Sequence, residues 1–276
     1  MTVNNHLNKS QLVKICSAFI EPQSIVTCER LLNGLSNDNF LIRTQQQAYL
    51  LKRYKDHWPS NALVAQHVFS NYNVCPAPIW LDEANKYAAF DYIEGETASF
   101  ISSSLVNKLA VVHNYSATID AMNIAQELLF YQQSEIYKQY QPHIKIALNT
   151  VANMPLNTGF CHNDLVKENI IVNTADMYLI DFEYAKTNDV YFDLAALAVS
   201  FKLNEKQQTE LLYNYKKQYD KEHKQEGEQF YFSISKLNCY KLFFLVLSLG
   251  WYEQRAINSK EAELRAQLNE LIVTDY

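Results

Sequence analysis

The spacing of apolar and polar positions changes character partway along the chain. Residues 10–20, SQLVKICSAFI, place apolar side chains at helical intervals, with Ser10 as the expected N-cap. The next stretch, SIVTCERLLNGLSNDNFLIRTQQQAYLLKRY, is rich in Ile, Val, Leu and Thr and is broken by NGLSND, a turn composition. It predicts three strands. A helix is expected over NALVAQHVFSNY at 61–72, followed by strands over PAPIWL and YAAFDYI. Together these make a small, mainly antiparallel sheet with one helix, ending near residue 93.

After a short segment at 94–97, which reads as a hinge, the period becomes helical. Helices are expected near 98–112, 117–132, 134–150, 192–202, 205–219, 231–256 and 259–272. Two short strands, NIIV and MYLID, interrupt them at 169–181. The class is α+β. A single undivided body satisfies the same periodicities, but charged loop chemistry at 160–183 favours two lobes with a cleft. The lobes are then 1–93, carrying the sheet, and 98–276, mainly helical. Five glycines in the whole chain leave no room for a flexible linker or repeat array.

Composition narrows the classes. With 48% hydrophobic and 20% charged residues over 276 positions, the chain is an ordinary globular one. Its net charge of -6 argues against general nucleic-acid binding, which needs a basic face. The five cysteines are scattered and include no CxxC, which suits reduced thiols in the cytoplasm better than a disulfide frame or zinc site. The polar start MTVNNHLNKSQLVK has no signal-peptide character. The most apolar window, YKLFFLVLSLGWY at 240–252, is too short to span a bilayer and reads as a buried core helix. The sequence leaves the oligomeric state open.

The stretch FCHNDLVKENIIV, residues 160–172, interrupts an apolar run with polar groups at the spacing H-x-D-x-x-x-x-N: His162, Asp164 and Asn169. Twelve residues on, Asp181 ends the run MYLID. Each residue alone also fits a turn or a cap. In this order around apolar strands they fit phosphoryl transfer, where catalysis is positioning and charge neutralisation. Asn169 and Asp181 offer hard oxygens to magnesium. Asp164 is then placed to accept a hydroxyl proton, and His162 to hold the loop by hydrogen bonding.

HNDLVKEN with LIDFEYA resembles the aminoglycoside phosphotransferase and choline kinase superfamily, which shares the protein kinase fold. Protein kinases carry H-R-D-x-x-x-x-N and D-F-G. Here Glu183 stands at the position of that glycine, and there is neither an A-P-E sequence nor a G-x-G-x-x-G loop. The resemblance therefore implies a small-molecule kinase using ATP and Mg2+. It places the phosphate-covering hairpin at LLNGLSNDNFLI, where Gly34 permits close backbone approach and Ser36, Asn37 and Asn39 offer donors; a plain hairpin satisfies the same residues. It places Lys52 in AYLLKRY at the nucleotide phosphates, with Arg53, on the opposite face of the strand, as the alternative. The family's partner for this cation is a Glu on the next helix, and NALVAQHVFSNY contains no acid. The segment FDYIEGE fits an adenine site through backbone groups of Asp91, Tyr92 and Ile93.

The acceptor is read from aromatics and acids. Tyr240, Phe244, Leu247 and Trp251 fall on one helical face, a pattern that is also ordinary core. Trp251 ends the stripe beside Glu253 and Arg255, and a Trp face with acids holds a cation by about 0.5–2 kcal/mol. LSLGWYEQRA resembles the substrate-lobe helix of bacterial thiamine kinases and aligns with a Trp-bearing helix of choline kinases. Gln254 replaces the second Trp frequent in the latter. DVYFDLAAL fits the same group, with Asp193 bracing the catalytic loop. The expectation is a kinase for a small cationic alcohol, thiamine- or choline/ethanolamine-like, with Glu183, Trp251 and Glu253 at the acceptor. An aminoglycoside-type phosphotransferase and a nucleotide-binding pseudokinase are the alternatives.

Overall fold

Asn8, two residues ahead of the expected Ser10, begins the first helix. Its side chain accepts from the Gln11 amide while the Gln11 side chain accepts from the Asn8 amide, both at 2.9 Å. This reciprocal box satisfies two orphan donors at once, which a Ser at position 10 does not do. Helix α1 is accordingly Lys9–Cys16. The computed structural model describes residues 7–32, 36–116, 121–222, 229–257 and 259–275.

The chain divides into two units, Met1–Gly95 and Glu96–Tyr276. In the first, the strands are β1 (Ile25–Leu31), β2 (Asp38–Thr44), β3 (Ala48–Arg53), β4 (Pro78–Asp82) and β5 (Tyr87–Asp91), with helix α2 (Ser60–Ser70) after β3. They form one antiparallel sheet in the order β1-β2-β3-β5-β4. Leu12 and Cys16 of α1 pack with Phe40, Ile42, Leu51, Tyr87 and Ala89 on one face. Leu63 of α2 packs with Leu50, Tyr54, Ala88 and Phe90 on the other. Alternation along β3 therefore sends Lys52 to the α2 face and Arg53 to the α1 face.

The second unit opens with a strand the sequence pattern did not announce. β6 (Glu96–Thr97) pairs with Val172 and Ile171. Residues 98–102, expected as helix, precede α3 (Ser103–His113), because Ser102 caps it from the Leu105 amide. α4 is Ile124–Phe130 with Asn123 as cap, shorter than the helix expected over 117–132; residues 117–120 lie outside the described residues. Then follow α5 (Glu135–Ala152), β7 (Thr158–Cys161), β8 (Ile170–Val172), β9 (Met177–Leu179), β10 (Lys186–Asp189), α6 (Tyr191–Ser200), α7 (Glu205–Glu222), α8 (Ile234–Gln254) and α9 (Glu261–Asp275). β6-β8-β9 make one small sheet and β7-β10 another.

Helix α8 is the core of this unit, packed against α4, α5, α6 and α9. It is buried on nearly every side, with Leu237, Leu242, Phe243, Val246 and Leu249 all sequestered. Each such side chain contributes roughly 1.5–3 kcal/mol. No helix among the described residues is long and apolar enough to cross a membrane. Gly159 in β7 allows a close approach in this core: a Cβ there would lie 2.7 Å from the His113 carbonyl oxygen and 3.0 Å from Val190. That approach sets β7, and with it the start of the polar stretch at 160–172, against the end of α3.

Candidate active site

β7 delivers His162 into a fully buried position. Its Nε2 lies 2.9 Å from the Ile180 carbonyl, and its Nδ1 lies 3.3 Å from the Asp164 amide. A carbonyl only accepts and an amide only donates, so Nε2 carries the proton and the ring is the neutral tautomer. Phe182 packs on it at 4.6 Å. The Ile180 amide donates to the Asn169 carbonyl at 2.9 Å. Ile180, one residue ahead of Asp181, thus ties both ends of the H-x-D-x-x-x-x-N stretch, and this brings His162, Asn169 and Asp181 into one locality.

Within the stretch, Asn169 donates through Nδ2 to the Asp164 carbonyl at 2.8 Å and to its Oδ2 at 3.1 Å. The amide group fixes the Asp164 carboxylate, and its own Oδ1 is the remaining hard donor. Asp181 has φ 68° and ψ 56°, the left-handed region, which costs an Asp of order 1–3 kcal/mol and clusters at functional positions. The donor chemistry of Asn169 Oδ1 and the Asp181 carboxylate fits magnesium, which prefers a few hard oxygens completed by phosphate and water.

The bracing group is Asp193, fully buried in the first turn of α6. It accepts from the His162 amide at 2.7 Å, the Asn163 amide at 2.8 Å and His113 Nε2 at 3.0 Å. His113 Nδ1 lies 2.6 Å from the Tyr215 hydroxyl, a phenol that burial pushes well up, so it stays protonated. Asn163, also left-handed at φ 62°, gives its Nδ2 to the Cys161, Tyr184 and Lys186 carbonyls and accepts from Asn188. His113, Cys161 and Asp193 converge closely enough to suggest a metal site. Burial pushes the Cys161 thiol well up, however, and a thiol held protonated is a poor ligand. His113 and Tyr215 carried no signal in the sequence, since no motif surrounds them, and Asn163, although inside the HNDLVKEN stretch, was assigned no role.

The expected acceptor residues are distributed differently. Tyr240 and Phe244 are buried in the core, while Leu247 and Trp251 are half-buried. The Arg255 guanidinium lies 4.2 Å from the Trp251 ring centre, and Tyr252 meets the indole edge-on. Glu253 is engaged elsewhere: its two oxygens accept from the Glu135 and Ile136 amides at 2.9 and 3.3 Å, completing the N-terminus of α5. Glu183 is buried in the 3-10 turn Phe182–Tyr184. Burial raises the Tyr252 phenol, with Lys260 opposing and Asp164 and Glu168 adding, so this unanticipated phenol lies within electrostatic reach of Asp164. Lys260 pairs with Glu168 at 2.5 Å.

In the N-terminal unit, Lys52 is 4% exposed, with its ammonium 5.0 Å from the Tyr54 ring centre. Asn39 is its cross-strand partner, and the buried Asn39 Oδ1 accepts no hydrogen bond among the described residues. An orphaned buried acceptor beside a buried ammonium calls for a ligand or water. Asn37 Oδ1 accepts from the Lys55 amide at 3.2 Å, and Ser36 is half-buried beside it. Gly34 lies outside the described residues. Asp91 ends β5, and the Tyr92 amide donates to the Ala48 carbonyl at 3.0 Å, so that amide is occupied ahead of any base contact at Ile93.

The sequence pattern of the phosphotransferase enzyme family, APH, matches residues 27–230. Protein LicA of Haemophilus influenzae is 27% identical over 228 residues, 80% of this chain and 67% of that protein. A thiamine kinase of Escherichia coli is 26% identical over 206 residues, covering 71% of this chain and 73% of its own. Among solved structures, the choline kinase LicA from Streptococcus pneumoniae superposes with a TM-score of 0.78 at 18% identity, over 96% of this chain and 99% of that one. A spectinomycin phosphotransferase bound to ADP and spectinomycin superposes at 0.65 and 13% identity, over 96% and 94%. The fold is thus protein-kinase-like, and the chain belongs to the phosphotransferase enzyme family.

Proposed function

We propose that this protein transfers the γ-phosphate of ATP to the hydroxyl of a small cationic alcohol of the thiamine or choline/ethanolamine kind. The observation that carries the reading is the Asp164 carboxylate held by Asn169, with left-handed Asp181 tied to the same loop through Ile180. Asp164 accepts the acceptor's hydroxyl proton as the oxygen bonds to the γ-phosphorus and the bond to the bridging oxygen of ADP breaks. Asn169 and Asp181 would hold Mg2+, which neutralises phosphate charge when bound. The N-terminal unit handles the nucleotide: Lys52 and Asn39 at the phosphates with Ser36, Asn37 and Gly34, and backbone of Asp91–Ile93 at the base. The C-terminal unit carries the catalytic loop and the acceptor site, with Trp251 and Glu183 toward the cation.

ADP release measured across thiamine, choline, ethanolamine and kanamycin tests the reading. Turnover with one of the first three, lowered about 10²–10⁴-fold by Asp164→Asn, is expected. Turnover with kanamycin alone would give the aminoglycoside-type activity instead. ATP binding without turnover on any alcohol would leave a pseudokinase. Near-wild-type turnover in Asp164→Asn would remove Asp164 as the base.

A further inference from the structure

The N-terminal unit contains a second feature, independent of the nucleotide reading and on the opposite face of its sheet from Lys52. A cavity of about 990 Å3 opens between α1 and the strands. Five cations line it: Lys9, Arg30, Arg53, Lys55 and Lys86. They come from α1, β1, β3, the segment just after β3 and the turn before β5, so the fold itself gathers them. The lining contains one acid, Asp38, whose Oδ1 is shared between Arg30 at 2.5 Å and Lys55 at 3.2 Å. Arg53 rests over the Tyr87 ring at 5.7 Å, and Lys86 donates to the Asp56 carbonyl. The lining thus holds an excess of four positive charges in a chain whose net charge is -6. Like charges so gathered repel one another, and one shared carboxylate offsets only a part.

We infer that this cavity binds a small soluble anion bearing two or more phosphate groups. Charge selects the class: one phosphate group carries about -1.5 to -2 and would offset only half of the excess, whereas two match it. Size agrees, because the volume stands at the upper end of the roughly 300–1,000 Å3 of small-molecule sites and exceeds what one phosphate fills. Arg30 and Arg53 supply planar forks for phosphate oxygens. On binding, the anion replaces Asp38 as the partner of Arg30 and Lys55.

The test is calorimetric titration of the full chain with inorganic pyrophosphate, without magnesium and at low ionic strength. The wild type should bind. The double variant Arg30→Gln/Arg53→Gln should lose about 100-fold, taking about tenfold for each lost charge-assisted contact. Asp38→Asn should bind several-fold more tightly, because it removes the one carboxylate in the lining; a gain cannot come from unfolding. Lys52→Ala, which removes a proposed nucleotide contact, should leave this binding in place. Pyrophosphate binding that is lost in Lys52→Ala and kept in the double variant would belong to the nucleotide site and overturn the inference. So would the absence of wild-type binding, or equal affinity in Asp38→Asn.

Discussion

Asp193 shows how much one buried carboxylate can organise. Its two oxygens hold successive amides, those of His162 and Asn163, and through His113 they reach Tyr215 on a different helix. The loop that carries Asp164 is therefore pinned at its entrance by a group that does not touch the reacting atoms. Asp193→Asn preserves size but turns one acceptor into a donor that faces other donors. Leaving buried donors unmet costs about 1–3 kcal/mol each, more against a charge, so a loss of about 2–5 kcal/mol is expected. Denaturant unfolding of the variant checks this. Unchanged stability would mean that the loop keeps its shape without the carboxylate.

Helix ends show a similar economy. Glu253, expected at an acceptor, instead closes α5 from the far end of α8, more than a hundred residues away in sequence. Glu253→Ala should cost about 0.5–2 kcal/mol, the range of a lost N-cap, and leave the KM for the alcohol unchanged. A raised KM with unchanged melting temperature would return Glu253 to the acceptor site. The sequence revealed the long elements because their apolar period persists over many residues, as in α5 and α7, or because the run is apolar nearly throughout, as in α8. Asp164, Asn169 and Asp181 stood out as candidates because their spacing is local. The sequence concealed β6, β7 and β10 because, unlike the equally short β8 and β9, they are not apolar runs: they read ET, TGFC and KTND, against IIV and MYL. The Glu253 cap and the His113–Asp193 contact were hidden because they join positions far apart in sequence, where no local pattern records them.

Across the whole molecule, burial of weak acids sets a limit at high pH. Burial pushes the Cys16 thiol from 9.0 up to about 12, with Cys28 adding to the rise. Burial likewise raises Cys161, Tyr191, Tyr215 and Tyr240. These groups stay protonated in the fold and ionise in the unfolded chain. Their contribution is complete below the unfolded value and is lost as pH rises through the folded one. For Cys16 that window runs from 9.0 to about 12. Each group contributes about 1.4 kcal/mol per pH unit inside its window. Urea midpoints should therefore fall steeply above about pH 9, and less steeply in Cys16→Ala. A flat profile would show that the groups ionise without unfolding. The same thiols have an experimental consequence. None of the five is in a disulfide; three lie in the first unit (Cys16, Cys28, Cys75) and two in the second (Cys161, Cys239), and only Cys28 is not buried. The unlabelled native chain is thus its own opening clock: after a short pulse of alkylating reagent, the mass added to each peptide tells which unit came apart first.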